Sequence, residues 1–326
     1  MAYIDMHCDT LMLAALKDKK RDLFSRKELR VDFQRMKAGG TMAQFFAIFF
    51  PDDETYKLLG MKPMKDQEYF DLLFEYYLKS MKAHSNIIKP AHTLQDLNAN
   101  WKNGKMSGIL TMEDGRIING DLDKLDDFYD LGIRAIALTW NHANCFGFPH
   151  SENREEMNRG LTKFGKEAVE YMNEIGMMID VSHLSEGGFW DVVRISDKPF
   201  IASHSNCRAI CPHSRNMSDE MIKALGEKGG VMGLNFYPAF LNKDISDQNA
   251  RLEIMAEHIM HMIRCGGIEV AALGSDFDGM DGNLEIASCE EYLKLFEFLQ
   301  KKGLSEDDIE KITHKNVMRV MKDTLW

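Results

Sequence analysis

An α/β fold closed as a single (β/α)8 barrel is what this sequence predicts, and three observations carry that expectation. Eight short apolar runs recur along the chain, amphipathic stretches with helical spacing separate them, and 326 residues is a common length for such a barrel in one domain. The runs begin at Tyr3 ("YIDMHC"), Met42 ("MAQFFAIFF"), Met106 ("MSGILTM"), Ile133 ("IRAIALTW"), Met177 ("MMIDVSH"), Pro199 ("PFIASHS"), Gly230 ("GVMGLNF") and Val270 ("VAALGSD"). Most are apolar on both faces, the pattern of parallel strands buried on two sides. A doubly wound open sheet is the competing arrangement, but no G-x-G-x-x-G follows the first run.

Taken in order, the first run sets His7 and Asp9 two residues apart, so in a strand both side chains leave the same side. They form either half of a metal site or a simple hydrogen-bonded pair, and His-x-Asp alone is too common to decide. Between Asp52 and Lys105 the chain is longer than one crossover helix requires. Its "DQEYFDLLFEYYLKSMKAH" stretch has apolar residues at helical spacing. Residues 52–105 are therefore expected to add helices outside the barrel or in an oligomer interface. "LTKFGKEAVEYMNEIG" opens at a capping threonine and closes at Gly176, and "SDEMIKALGEKGG" repeats that form with Ser218 as N-cap. The tail from Ser305 to Trp326 reads as helical and is placed at the barrel bottom. No linker rich in Pro, Gly or Ser interrupts the chain, so residues 1–326 are read as one domain.

The formal net charge of -11 argues against a nucleic-acid partner, which needs a basic surface to displace counterions. Acidity suits a cation-binding pocket, and also suits any soluble protein. Six scattered cysteines without a C-x-x-C pair read as thiols in a reducing compartment. Asp5 and Asp9 fall where a signal peptide would be basic and then apolar. "MAQFFAIFF" is far too short to cross a bilayer. These features predict a cytoplasmic protein with no membrane partner.

In such barrels the active site is built from the C-terminal ends of the strands. Six metal-capable side chains fall at those ends: His7 and Asp9 after the first, Glu113 after the third, His183 after the fifth, His204 after the sixth and Asp276 after the eighth. Each alone has a structural reading. His183 could bond backbone at a helix entry, His204 could cap, Glu113 could belong to the Asp114-Gly115 turn, and one of Asp276 and Asp278 is expected to start a helix. Six such coincidences on one rim are harder to accept than one site. The donors suit two divalent cations about 3.5–4 Å apart sharing a carboxylate. Glu113 is the natural bridge, with His7 and Asp9 on one side and His183 and His204 on the other. Imidazole with carboxylate suits zinc, with manganese or cobalt as substitutes. Asp276, free of the metals or weakly bound, could move a proton.

Across nearly the whole chain, "DMHCDT", "TMEDG", "IDVSHLS", "PFIASHSNCRAICPHSRNMSD", "GVMGLNFYPAF" and "GSDFDG" occur in an order that resembles the membrane (renal) dipeptidase family and its soluble bacterial members. The resemblance implies a metal-dependent hydrolase barrel with two zinc ions per chain, bound by His7, Asp9, Glu113, His183 and His204. It further implies Asp276 in proton transfer, Arg215 of "HSRN" pairing with the substrate's C-terminal carboxylate, and Tyr237 touching that carboxylate. A guanidinium holds a carboxylate through two parallel hydrogen bonds. The implied reaction is hydrolysis of dipeptides with a free C-terminus, with a D-residue tolerated at the second position, and a homodimer is the expected assembly. Lactone or cyclic-amide hydrolysis on the same centre is the alternative, although such barrels usually open with His-x-His. One departure stands out. Many family members carry a histidine directly after the "LT" of strand four to steady the oxyanion, and this chain has Trp140 there. His142 is expected to take over that role, with Asn141 and Asn144 as other donors, while His150 and His213 are read as structural or exposed.

Overall fold

The computed structural model describes residues 1–325. Eight parallel strands run in the order β1 Tyr3–Asp5, β2 Thr41–Phe49, β3 Met106–Glu113, β4 Ile133–Ala137, β5 Met178–Asp180, β6 Ile201–Ser205, β7 Val231–Leu234 and β8 Ala271–Leu273. All eight expected runs are strands. Between β8 and β1 the ladder thins, and the barrel is nearly closed by Met6 N–H donating to Leu273 O (2.9 Å) and a bridge between Cys8 and Phe277.

The strands are shorter than their apolar runs at the rim. β1 stops at Asp5, β5 at Asp180 and β8 at Leu273, so His7, Asp9, His183 and Asp276 stand on the turns just beyond. A left-handed backbone at His183 (φ 67°) and Asp276 (φ 63°) is incompatible with a continuing strand.

Inside the barrel, Ile4, Met6, Phe45, Ile109, Met178, Ile201, Val231 and Ala272 share one apolar cluster. Val317, Val320, Met321 and Leu325 join it from below. They come from the tail, which is helical over Glu306–Glu310 and Asn316–Thr324 with a π-helical turn between. Asn316 pins that tail by donating to Ile268 O (2.8 Å) and Ala271 O (2.9 Å). The expected closure of the bottom is therefore seen over the described part; Trp326 lies outside the described residues.

The outer helices begin and end as their caps dictate. Thr162 accepts from Gly165 N–H (2.9 Å) at the start of Lys163–Ile175, and Gly176 ends it at φ 78°. Ser218 likewise accepts from Met221 N–H (3.3 Å). Between β2 and β3 lie helices Asp53–Leu58, Asp66–Ala83 and Leu94–Lys102. Helix Asp66–Ala83 buries Tyr69, Phe70, Leu73, Tyr76, Tyr77 and Met81 in this chain's own core, so its apolar stripe is already covered. A ninth strand, Ile88–Pro90, pairs in parallel with the start of β3. Three residues are too few for a period-two pattern to announce it. No described helix is long and apolar enough to cross a membrane.

Candidate active site

All six rim residues expected to meet do so. Glu113, at the end of β3, turns Oε2 toward His7 Nε2 (3.4 Å) and Oε1 toward His183 Nε2 (3.0 Å) and His204 Nε2 (3.4 Å). His7 Nε2 also lies 3.4 Å from Asp9 Oδ2 and 3.9 Å from Asp276 Oδ1. One carboxylate thus serves two clusters, His7–Asp9–Glu113 and Glu113–His183–His204.

The neighbours set which ring nitrogens carry lone pairs inward. Ser203 Oγ donates to Asp180 Oδ2, so it accepts from His204 Nδ1–H (2.7 Å). Asn141 Oδ1 accepts from His183 Nδ1–H (3.2 Å). Both Nε2 atoms then bear unshared pairs, 3.1 Å apart with no proton available between them. Buried His7 Nε2 and Asp9 Oδ1 have no well-formed hydrogen bond among the described residues. Leaving such atoms unpaired costs about 1–3 kcal/mol each. Imidazole and carboxylate lone pairs converging in this way fit divalent cations, and they fit zinc by donor type.

Electrostatics agree. Burial lifts Asp9 and pushes Asp276 up to about 8, with Asp9 and Glu113 adding to the rise at Asp276. Burial alone would lower His7, but Glu113 and Asp9 hold it well above its ordinary value, so with no ion present a proton on this imidazole offsets the carboxylates in the place a metal cation would take. Burial drives His204 well below and His183 down to about 4, so both are neutral imidazoles. Three carboxylates in one dry space call for a cation. The backbone yields to them: a Cβ on Gly279 would stand 2.0 Å from Asp9 Oδ2 and 2.8 Å from Asp276 Oδ1.

Asp276 is steadied by Asn235 Nδ2–H (2.9 Å), and neither it nor Asp278 starts a helix. Asp278 instead accepts from Thr10 Oγ1–H (2.6 Å) and Arg30 N–H (2.7 Å), tying two rim loops together. That corrects the expected cap: the left-handed backbone at both positions makes tight turns. Arg215 is buried, with its terminal nitrogens donating to Ser205 Oγ and His204 O (2.8 Å each) and Nε unpartnered. Tyr237 lines the cavity beside Phe240.

His142 is a correction. Its ring points outward, 61% exposed, and Nε2 bonds Asp52 Oδ2 (2.8 Å). Asn144 is occupied too, donating to Asp114 Oδ1 and Leu138 O (2.7 Å each). Asn141 does face the cavity, and so do His150 and His213, against the structural or exposed reading of those two histidines. His150 reaches the site because its N–H donates to His183 O (2.7 Å) beside the Pro149–Leu184 bridge. Asp5 was also missed. It is fully buried and accepts from Ser275 N–H (2.9 Å), Ser275 Oγ–H (2.6 Å) and Tyr292 OH (2.7 Å), joining β1 to the loop that carries Asp276. Its place in Asp5-x-His7-x-Asp9, on the same period as the two predicted donors, was the available signal.

The cavity above these residues measures about 430 Å³. Its lining combines polar groups with the apolar side chains of Met12, Phe49, Leu58, Trp140 and Met280. A family model described as membrane dipeptidase (peptidase family M19) matches residues 1–325. This chain belongs to the membrane dipeptidase family. Membership makes it a metal-dependent hydrolase, a dipeptidase. An uncharacterised Klebsiella pneumoniae protein from the pqqA 5′ region is 33% identical over 76% of this chain and 93% of that protein. Dipeptidase aclJ of Aspergillus oryzae is 30% identical over 90% of this chain and 70% of its own length. A Rhodobacter sphaeroides metallopeptidase, solved with a phosphinate mimic of L-Ala-D-Ala, superposes with a TM-score of 0.90 at 29% identity, covering 100% of this chain and 99% of the other. Its barrel is the fold of this dipeptidase as well.

Proposed function

We propose that this dipeptidase is a binuclear zinc enzyme cleaving dipeptides that carry a free C-terminal carboxylate. The observation that carries the reading is the division of Glu113, one oxygen facing His7 and the other facing His183 and His204. His7 and Asp9 would hold one ion, His183 and His204 the other, and Glu113 both. Zinc bound there supplies Lewis acidity for the scissile carbonyl and lowers the pKa of water to about 7. Asp276, oriented by Asn235, holds the proton that the departing amine needs. Arg215 offers a buried cation with no acidic side chain in contact among the described residues, so a substrate carboxylate completes its hydrogen bonding and fixes the peptide's length. Tyr237 borders the same end. Tolerance of a D-residue at the second position is supported by the L-Ala-D-Ala mimic on the Rhodobacter relative.

The test is zinc-reconstituted protein with a mixed library of L,L- and L,D-dipeptides and the matching dipeptide amides, with released amino acids read by mass spectrometry. Metal analysis should return two zinc ions per chain. Cleavage of the acids and not of the amides is expected. Equal cleavage of both would remove the role of Arg215, and cleavage of neither, with metal bound, would overturn the proposal.

A further inference from the structure

We propose that His150 is a catalytic residue whose Nε2–H bonds the scissile carbonyl oxygen, in the place left by Trp140 and not filled by His142. The inference rests on the dipeptidase reading above and adds a residue to it. Three observations point to His150.

The first is position. Its ring lies in the cavity wall, 6.0 Å from the ring of His183 and 6.1 Å from that of His213, between the Glu113–His183–His204 cluster and the loop that carries His213 and Arg215. Arg215 lies two residues beyond His213, and the scissile carbonyl of a dipeptide whose carboxylate reaches Arg215 is only a few bonds from that carboxylate, on the side of the cavity that His150 and His213 line.

The second is orientation. Ser214, next to Arg215, has its Oγ 3.1 Å from His150 Nδ1, while Nε2 faces Asn141 Oδ1 at 3.4 Å. An amide oxygen only accepts, so Nε2 carries the proton, and Nδ1 is left beside the Ser214 hydroxyl, on which the Glu152 carboxylate also draws.

The third is availability. Asn141 Oδ1 already receives His183 Nδ1–H at the shorter distance of 3.2 Å, so the Nε2–H of His150 is weakly held. A carbonyl oxygen gaining negative charge is a stronger acceptor than an amide already in use, and a hydrogen bond to an anion is roughly twice as strong as a neutral one. The donor therefore contributes more as charge develops than in the resting enzyme, which is the condition for raising kcat. His142, facing Asp52 outside the cavity, meets none of the three conditions.

The test compares wild type, His150→Ala, His150→Gln and His142→Ala, each zinc-loaded, in dipeptide hydrolysis and in calorimetric binding of the L-Ala-D-Ala phosphinate mimic. His150→Ala is expected to lower kcat about 100- to 1,000-fold with little change in KM, and to weaken the mimic by a similar factor. His150→Gln, which keeps an N–H donor, should recover part of both, and His142→Ala should match wild type. Circular dichroism and metal content establish that each variant is folded and loaded. Folded, loaded His150→Ala with wild-type kcat and mimic affinity would overturn the inference while leaving the dipeptidase reading intact. Wild type that cleaves no dipeptide would overturn both.

Discussion

The two ends of this barrel are opposite solutions to the same strands. At the bottom, Val317, Val320, Met321 and Leu325 fill the mouth with apolar side chains, and Asn316 ties the tail to Ile268 O and Ala271 O through its amide N–H groups while its Oδ1 stays unpaired. At the top, buried polar atoms stay unpaired at His7 and Asp9, and carboxylates crowd together. Four of the five described non-glycine residues with positive φ, namely Asp114, His183, Asp276 and Asp278, sit there as well. Each left-handed position costs about 1–2 kcal/mol. The bottom holds the fold and lets the top keep a strained, charged site ready for cation and substrate.

Substitutions at each end should separate these roles. The largest effect is expected from Glu113→Ala, which removes the group shared by both clusters. Metal content should fall and dipeptide hydrolysis drop by about 1,000-fold or more, while far-UV circular dichroism keeps the barrel signature. A variant retaining its metal and rate would refute the bridging role. Met321→Ala should do the reverse, destabilising by about 3 kcal/mol in urea unfolding and leaving kcat/KM at 25 °C unchanged. Loss of activity in the still-folded variant would show that the two ends are coupled.

On the outer helix Leu252–Gly266, His258 is buried neutral against segments that follow β6 and β7: Nδ1 accepts from Cys207 N–H (3.1 Å) and Nε2–H donates to Leu241 O (3.0 Å). Burial takes it down to about 4, against about 6.5 in the unfolded chain. Because the folded value is depressed, its contribution is full above pH 6.5 and is lost as pH falls from 6.5 to about 4. The loss amounts to about 3 kcal/mol. Metal-free His258→Gln should show a shallower fall of stability across that window than metal-free wild type, and parallel curves would exclude the residue as its source. The smallest effect belongs to His142→Ala. It removes one exposed contact with Asp52, so stability should move by less than about 0.5 kcal/mol, read as Tm.

Much of the fold was legible because its signals are local. Apolar runs of strand length gave all eight strands, and Thr162, Gly176 and Ser218 marked helix ends by their own backbone chemistry. Glu113 and His204 at strand ends, and His7, Asp9, His183 and Asp276 within four residues of one, were legible because every strand of this barrel opens on the same rim, and only residues farther along the loops escape that rule. The loop residues were not. "WNHANCFGFPH" holds two histidines with nothing in spacing to rank them, since a loop has no repeating period.

By itself, the sequence determined the barrel, its apolar interior and the donor types gathered at one end, because periodicity and residue chemistry are properties of short stretches. Only the tertiary structure decided that His150, held by His183 O and Ser214, enters the cavity while His142 turns to Asp52. It also decided that Gly279 passes where no Cβ fits and that Glu113 divides its two oxygens. Those outcomes are distances between segments far apart in the chain, and packing sets such distances.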